Sequence, residues 1–294
     1  MSETDIGAGT CNSAGAIGFA LDQVVARAIA EDLGAGDVTT DALSLGSQTG
    51  SALFVARARV TVAGLGCVEA VFRQLGEGVR VSQACKDGTT LEAGKVLCRV
   101  DGPMRILLYG ERIALNLLQR LSGIATLTAH YVAQVPENSP MRICDTRKTT
   151  PGLRALERYA VRCGGGHSHR DSLGAAPMLK DNHIAACGGD LALAVARVRA
   201  YAPHTARITC EVDTLAQLAC ALDARVDIAL LDNFSDEAVK EAVQLNSGRA
   251  VLEVSGNVTP ERIGTLASLG VNIVSVGALT HSAAAADIGM DWLA

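Results

Sequence analysis

Residues 142–183, RICDTRKTTPGLRALERYAVRCGGGHSHRDSLGAAPMLKDNH, decide the architecture. The stretch opens with a short apolar strand, RICDT, turns through the basic pair Arg147-Lys148, and enters a helix opened by Pro151. Proline suits a first helical position because the N–H it lacks has no partner there anyway. Gly164–Gly166 stop that helix, a His-Ser-His-Arg loop follows, and a second apolar strand ends in Lys180, Asp181, Asn182 and His183. Cations thus gather where strands give way to loops, the end of an α/β barrel at which active sites are built. Like charges held together repel, so an anion is expected to occupy this place.

Downstream the same rhythm continues. Strands RITCEVD, DIALLDN, RAVLEVSG and NIVSVG alternate with helices predicted at 191–201, 214–222, 236–245 and 260–269, after one at 153–162. Alternation at this spacing implies βα units and a parallel sheet. With RICDT and MLKDN the visible strands number fewer than the usual eight, so the barrel is expected to be incomplete or open on one side.

Upstream the pattern differs. Ile17–Leu33 has helical spacing and stops at Gly34 and Gly36, and Asp37–Asp41 follows as a capped turn. Between Ser51 and Val100 the runs are short and β-rich, with a helix at Val68–Leu75, which predicts two or three strands in a small α/β sandwich. Glu111–Val135 reads as a long amphipathic helix, interrupted at Ser122-Gly123 and bridging two domains. The domain plan is a disordered polar tail over 1–16, a first domain over 17–123 and a barrel over 124–294.

The whole chain narrows the function classes. Its 294 residues are 49% hydrophobic, enough for a sizeable core, and the formal net charge is −5, which argues against general nucleic-acid binding. Nine cysteines with no CxxC pair suit reduced thiols better than a disulfide framework. No apolar run approaches the about 20 residues that cross a bilayer. The first residues lack the basic and apolar regions of a secretory signal, so the expected address is the cytoplasm.

Each barrel strand ends in something polar: Glu211 and Asp213, Asp232 and Asn233, Ser255, Gly256 and Asn257, and finally Gly277. Single strand-end polar residues often cap the next helix, and Asp213 and Asn233 read equally well that way. Caps do not require cations and carboxylates to converge, so the set as a whole points to a site shared with Arg147, Lys148 and Lys180. SGN and VGALTHS close the last two βα turns, where small residues let backbone amides approach a phosphate. Arg147 can grip a carboxylate or phosphate by two parallel hydrogen bonds, while Lys148 acts as a compact charge. Glu211 and Asp232 can hold Mg²⁺ beside a polyphosphate, or stabilise positive charge developing on a sugar carbon. Cys163, His167 and His169 form C-x3-H-x-H, which matches no common zinc frame. His169, beside Arg170, reads instead as a hydrogen-bond donor to an anionic substrate, and His183 and His281 as partners of strand-end backbone groups.

At these residues the chain resembles the quinolinate phosphoribosyltransferase family, the carboxylating nicotinate-nucleotide pyrophosphorylases. The likeness is carried by EDLGAGDVTTDAL, GERIALNLLQRLSGIAT, DTRKTTPGLRALERYAVRCGGG, KDNHI, LLDNF, LEVSGNV and VGALTHSAAAADIGMD. It implies an N-terminal α/β sandwich followed by an incomplete, about seven-stranded α/β barrel, in a homodimer or larger homo-oligomer with shared active sites. The implied reaction moves phosphoribose from phosphoribosyl pyrophosphate to quinolinate, giving nicotinate mononucleotide, CO₂ and pyrophosphate in NAD biosynthesis. Mg²⁺ is expected with the pyrophosphate substrate, and no organic cofactor, nucleic acid or membrane.

Carried over by motif, Arg147, His169, Arg170 and Lys180 would hold the pyridine dicarboxylate, Arg112 would reach it from the partner subunit, and Thr146 would be among the substrate-binding residues. Lys148, Glu211 and Asp232 would be catalytic and serve phosphoribosyl pyrophosphate, the two acids with its metal. Ser255, Gly256, Asn257 and Gly277 would cradle the 5′-phosphate. Ser168, Asp171, Ser172 and Ala175 depart from the family's pattern, and Asp171 is placed to pair with Arg170. Two other readings compete: a Schiff-base lyase with Lys180 as nucleophile, and a non-catalytic binder of phosphoribosyl ligands.

Overall fold

A computed structural model describes residues 14–293, with side chains from residue 18. The chain runs α1 (Ala14–Leu33), α2 (Val38–Ala42), β1 (Thr49–Ala56), β2 (Val60–Thr61), α3 (Leu65–Leu75), β3 (Arg80–Gln83), β4 (Thr90–Leu91), β5 (Val96–Pro103) and α4 (Met104–Val132). It continues β6 (Arg142–Cys144), α5 (Arg154–Cys163), β7 (Met178–Leu179), α6 (Asp181–Ala185), α7 (Leu191–Tyr201), β8 (Thr209–Val212), α8 (Leu215–Asp223) and β9 (Ile228–Asp232). The last elements are α9 (Asp236–Asn246), β10 (Val251–Ser255), α10 (Pro260–Leu269), β11 (Ile273–Ser275), α11 (Ala278–His281) and β12 (Ile288–Trp292). Of the expected tail, residues 14–16 open α1 and the remainder lies outside the described residues.

Two compact units are interleaved in sequence. One holds the chain up to Ala129, Thr149–Gly165 and the end from Leu279; the other holds His130–Lys148 and Gly166–Ala278. Two later segments, Thr149–Gly165 and the end from Leu279, thus return to the first unit.

The first unit contains a four-stranded antiparallel sheet in the order β12-β1-β5-β3. Against the two or three strands expected, β1 to β5 make five, with β2 and β4 paired in a separate two-stranded sheet, and β12 joins the edge of β1 from the far end of the sequence. Phe54, Phe72, Leu97 and Leu118 are among the fully buried side chains of this unit. Asp87 holds the start of α3 in place: its carboxylate accepts the amides of Gly64 (2.9 Å) and Leu65 (3.1 Å) and the Tyr159 hydroxyl (2.8 Å). Asp37, the N-cap of α2, accepts two amides at 3.0 Å, as the DVTTD pattern predicts.

α4 differs from expectation. It begins at Met104, seven residues before Glu111, and runs unbroken through Ser122-Gly123. Ser122 Oγ donates to the Ala63 carbonyl and accepts its amide, both at 3.1 Å, and a Cβ on Gly123 would lie 1.9 Å from the Ala284 carbonyl oxygen. The pair marks close packing, not a break. Pro151 also departs from its reading: residues 151–153 form a turn with Gly152 at φ +83°, and α5 starts at Arg154.

The second unit is built on a six-stranded parallel sheet in the order β6-β11-β10-β9-β8-β7. A further parallel bridge, Cys144 to His167, adds the start of a seventh rung outside β6. This is the incomplete α/β barrel expected, with helices α7, α8, α9 and α10 at the predicted places. Its strands are short and largely buried, as a sheet covered on both faces requires.

Candidate active site

Strand register brings the polar residues together. Glu211 pairs with Leu230 and Leu230 with Glu253, so these three share one row across β8, β9 and β10. Lys180 stands one residue beyond the Leu179–Cys210 pair and so meets Glu211 at the end of that row. Two residues nearer the carboxyl ends, Asp232 pairs with Ser255. In parallel strands, residues in one row face the same way.

The result is a cavity of about 380 Å³ lined by thirteen residues of the second unit, among them Thr146, Arg147, Lys148, His169, Arg170, Lys180, Glu211, Asp232 and Ser255. Every one of those nine was expected from the sequence. Cations occupy the two ends of the sheet order: Arg147, Lys148 and Arg170 come from loops beyond β6 and the His167 rung, and Lys180 follows β7. Acids occupy the middle, on β8, β9 and β10.

Local contacts set each group. Lys180 Nζ lies 2.5 Å from Glu211 Oε2. The Thr146 hydroxyl accepts the Lys148 amide at 3.0 Å, closing the turn that carries both basic side chains. Asp232 accepts from Asn233 Nδ2 at 2.8 Å. Arg170 donates from Nη1 to the Ala176 carbonyl at 2.9 Å. Burial, and then the neighbouring Arg147 charge, hold the Arg170 guanidinium below the usual arginine range. Two arginines facing one space favour a ligand with more than one negative charge.

The remaining expected residues lie elsewhere. Arg112 is exposed on α4, in the first unit, and is not among the cavity-lining residues. Gly256, Asn257 and Gly277 follow the ends of β10 and β11 but do not line the cavity either. Gly256 and Asn257 both have positive φ, +89° and +48°. Asn257 Nδ2 donates to Asn233 Oδ1 at 3.3 Å, and the Asn233 amide donates to the Ser255 carbonyl at 3.0 Å, so the SGN turn is locked to the turn after β9. Asp213 and Asn233 do not cap α8 and α9: the caps are Thr214 and Ser235, each accepting an amide with its hydroxyl.

Four lining residues escaped the sequence reading: Met178, Leu230, Glu253 and Ser275. Only Glu253 carried a usable signal, a charge inside the otherwise apolar strand VLEVS, two residues before Ser255 and so on the same face. His169 also differs from a simple donor: its Nδ1 accepts the Arg170 amide at 2.7 Å and its Nε2 faces Glu253 Oε1 at 3.3 Å. His183 Nδ1 accepts the Lys180 amide at 3.0 Å. Among the described residues no three of His, Cys, Asp and Glu gather in a metal-holding cluster, and none of the described cysteines forms a disulfide.

A sheet-end cavity with cations on two sides and acids between defines a class, the α/β-barrel proteins built to hold small, multiply anionic molecules. Comparison with known proteins narrows it. Residues 37–122 match the model of the quinolinate phosphoribosyl transferase N-terminal domain, and residues 124–291 match that of the C-terminal domain. The chain belongs to the quinolinate phosphoribosyltransferase family.

It is 43% identical over 261 residues to the probable carboxylating nicotinate-nucleotide pyrophosphorylase of Bacillus subtilis, covering 89% of each chain. It is 41% identical over 280 residues to the carboxylating nicotinate-nucleotide pyrophosphorylase of Mycobacterium leprae, covering 92% of this chain and 97% of that one. The crystal structure of NadC from Streptococcus pyogenes matches with a TM-score of 0.87 at 40% identity, covering 94% of this chain and 98% of that one.

Proposed function

We propose that this chain is a carboxylating nicotinate-nucleotide pyrophosphorylase, transferring phosphoribose from phosphoribosyl pyrophosphate to the ring nitrogen of quinolinate in the synthesis of NAD. Carbon dioxide and pyrophosphate leave, and nicotinate mononucleotide is the product. One observation carries this: Arg147, Lys148, Arg170 and Lys180 converge with Glu211 and Asp232 on one cavity at the carboxyl ends of parallel strands.

The division of labour follows from charge. Arg147, Arg170 and Lys180, with His169 and Thr146 beside them, hold the two carboxylates of quinolinate and orient its nitrogen. Arg112 of a second subunit completes that pocket in a homodimer or larger assembly. Lys148 binds the pyrophosphate side of the other substrate. The backbone of Ser255, Gly256, Asn257 and Gly277 receives the 5′-phosphate, a task for which the left-handed Gly256-Asn257 turn supplies amides without side-chain obstruction.

Glu211 and Asp232 face the ribose carbon and stabilise the positive charge that develops there as pyrophosphate departs. Once the nitrogen carries the sugar, the cationic pyridine ring accepts the electrons released by the neighbouring carboxylate, so no organic cofactor is required. Two carboxylates alone do not make a metal cage, but Glu211 and Asp232 would hold a Mg²⁺ that arrives with a polyphosphate. When bound, that ion neutralises charge on the leaving pyrophosphate.

A lysine paired with a carboxylate at 2.5 Å offers charge and not a free lone pair, which favours this reading of Lys180 over a Schiff-base lyase. Among the described residues no helix is long and apolar enough to cross a membrane, and we place the enzyme in the cytoplasm.

The deciding assay supplies phosphoribosyl pyrophosphate and Mg²⁺ with either quinolinate or nicotinate. Nicotinate mononucleotide and CO₂ should form from quinolinate only, and chelation with EDTA should suppress turnover. Binding of both substrates without product would instead identify a non-catalytic binder.

A further inference from the structure

We infer that Glu253 is a positioning residue of the transfer reaction: it braces His169 and, through His169, the segment that carries Arg170 into the cavity. Glu253 lies within an apolar strand, its side chain is 1% exposed, and it faces the cavity in the row of Glu211 and Leu230. Removing a carboxylate from water is costly, so one retained at such a place needs a partner.

The partner is the imidazole of His169. Glu253 Oε1 is buried without a well-directed hydrogen bond and stands 3.3 Å from His169 Nε2. Because Nδ1 accepts the Arg170 amide at 2.7 Å, the proton of a neutral ring is on Nε2, the nitrogen turned toward the carboxylate. Asp145, fully buried at the end of β6, accepts the His169 amide at 2.7 Å. The His169-Arg170 turn is therefore held from β6 by Asp145 and from β10 by Glu253, with the imidazole as the link to the Arg170 backbone. Burial, and then the nearby Glu253 and Asp145 carboxylates, push the Cys144 thiol up to about 12.

Groups that hold a ligand-binding side chain from behind typically change affinity or activity when removed, although they touch no substrate. The inference rests on the transferase reading, and the test separates the two. Steady-state kinetics on wild type, Glu253→Gln, His169→Asn and the double variant would be combined with thermal unfolding and with calorimetric titration of quinolinate.

Glu253→Gln should raise the KM and Kd for quinolinate about ten-fold while the KM for phosphoribosyl pyrophosphate stays within about two-fold. In the His169→Asn background the further Glu253→Gln change should shift quinolinate binding less than about two-fold, because the link is already cut. Equal shifts for both substrates, additive effects in the double variant, or a lowered Tm with quinolinate binding unchanged would each overturn the inference. Should Glu253→Gln fail to fold, Glu253→Asp, which keeps the charge but withdraws it from His169 Nε2, must raise the quinolinate KM selectively, and a wild-type value there would overturn it. A wild-type protein that binds quinolinate without making nicotinate mononucleotide would sink the transferase reading, while the calorimetric shifts would still decide the brace.

Discussion

Gly256 shows how much one residue can carry. Its φ of +89° lies in the left-handed region, and a Cβ built there would come 2.2 Å from Asn233 Oδ1. Both conditions penalise any side chain. Gly256→Ala should cost about 1–3 kcal/mol of stability and raise the KM for phosphoribosyl pyrophosphate more than that for quinolinate; chemical denaturation and steady-state kinetics would check the two parts. Arg147 and Lys180 differ, since the role proposed for their side chains is to hold ligand. Arg147→Ala and Lys180→Ala should each lower kcat/KM by about 10²–10³-fold or more while circular dichroism and Tm stay near wild type. Wild-type-like rates in either variant would contradict the site. The altered Asp171 accepts a hydrogen bond from Ser172 Oγ at 2.8 Å, so part of its acceptor capacity is used within its own loop.

At the scale of elements, the most consequential contact joins α4 and α5. Glu157, wholly buried, accepts Arg120 Nη2 at 2.8 Å, the Thr150 amide at 3.0 Å and the Thr150 hydroxyl at 2.7 Å. Arg120 also donates to the carbonyls of Thr280 and Ala283, the latter at 3.0 Å. One ion pair thus ties α4, the turn before α5 and the chain before β12 into one unit. Deleting Arg120 leaves the wholly buried Glu157 carboxylate without its counter-charge. Arg120→Ala should therefore destabilise the protein by about 3–5 kcal/mol, read by urea or guanidinium unfolding. No part of this was legible in the sequence: Arg120 and Glu157 sit among ordinary helical residues, thirty-seven positions apart, and local periodicity says nothing of such a partner.

For the whole molecule, the two family models divide the chain between residues 122 and 124, close to the expected domain cut, whereas the compact units share it in alternating segments. Arg112 belongs to one unit and Lys148 to the other. If a site draws Arg112 from a neighbouring subunit, Arg112→Ala and Lys148→Ala should each be inactive alone. Mixed under conditions of subunit exchange, they should recover up to about a quarter of wild-type activity, because a random hybrid holds one intact site of two. Activity assays on mixtures, with exchange shown separately by mass-tagged subunits, would test this. No recovery despite exchange would remove the shared site.

The parallel sheet and the convergence of Arg147, Lys148, Lys180, Glu211, Asp232 and Ser255 at its carboxyl ends follow from the sequence, because βα alternation and strand-end position are local properties with fixed geometric consequences. Thr146, His169 and Arg170 enter through the motif resemblance, and Gly256, Asn257 and Gly277, placed by the same strand-end argument, do not line the cavity. Pro151 does not open α5 and Ser122-Gly123 does not break α4, since a small or rigid residue serves a helix boundary and a tight packing contact equally well. Only tertiary structure placed β12 beside β1, gave Arg120 to Glu157, and turned Glu253 toward His169. Each depends on which distant segment arrives as neighbour, and burial makes such a partner decisive: away from water, a charge or a sheet edge takes its meaning from whatever group meets it there.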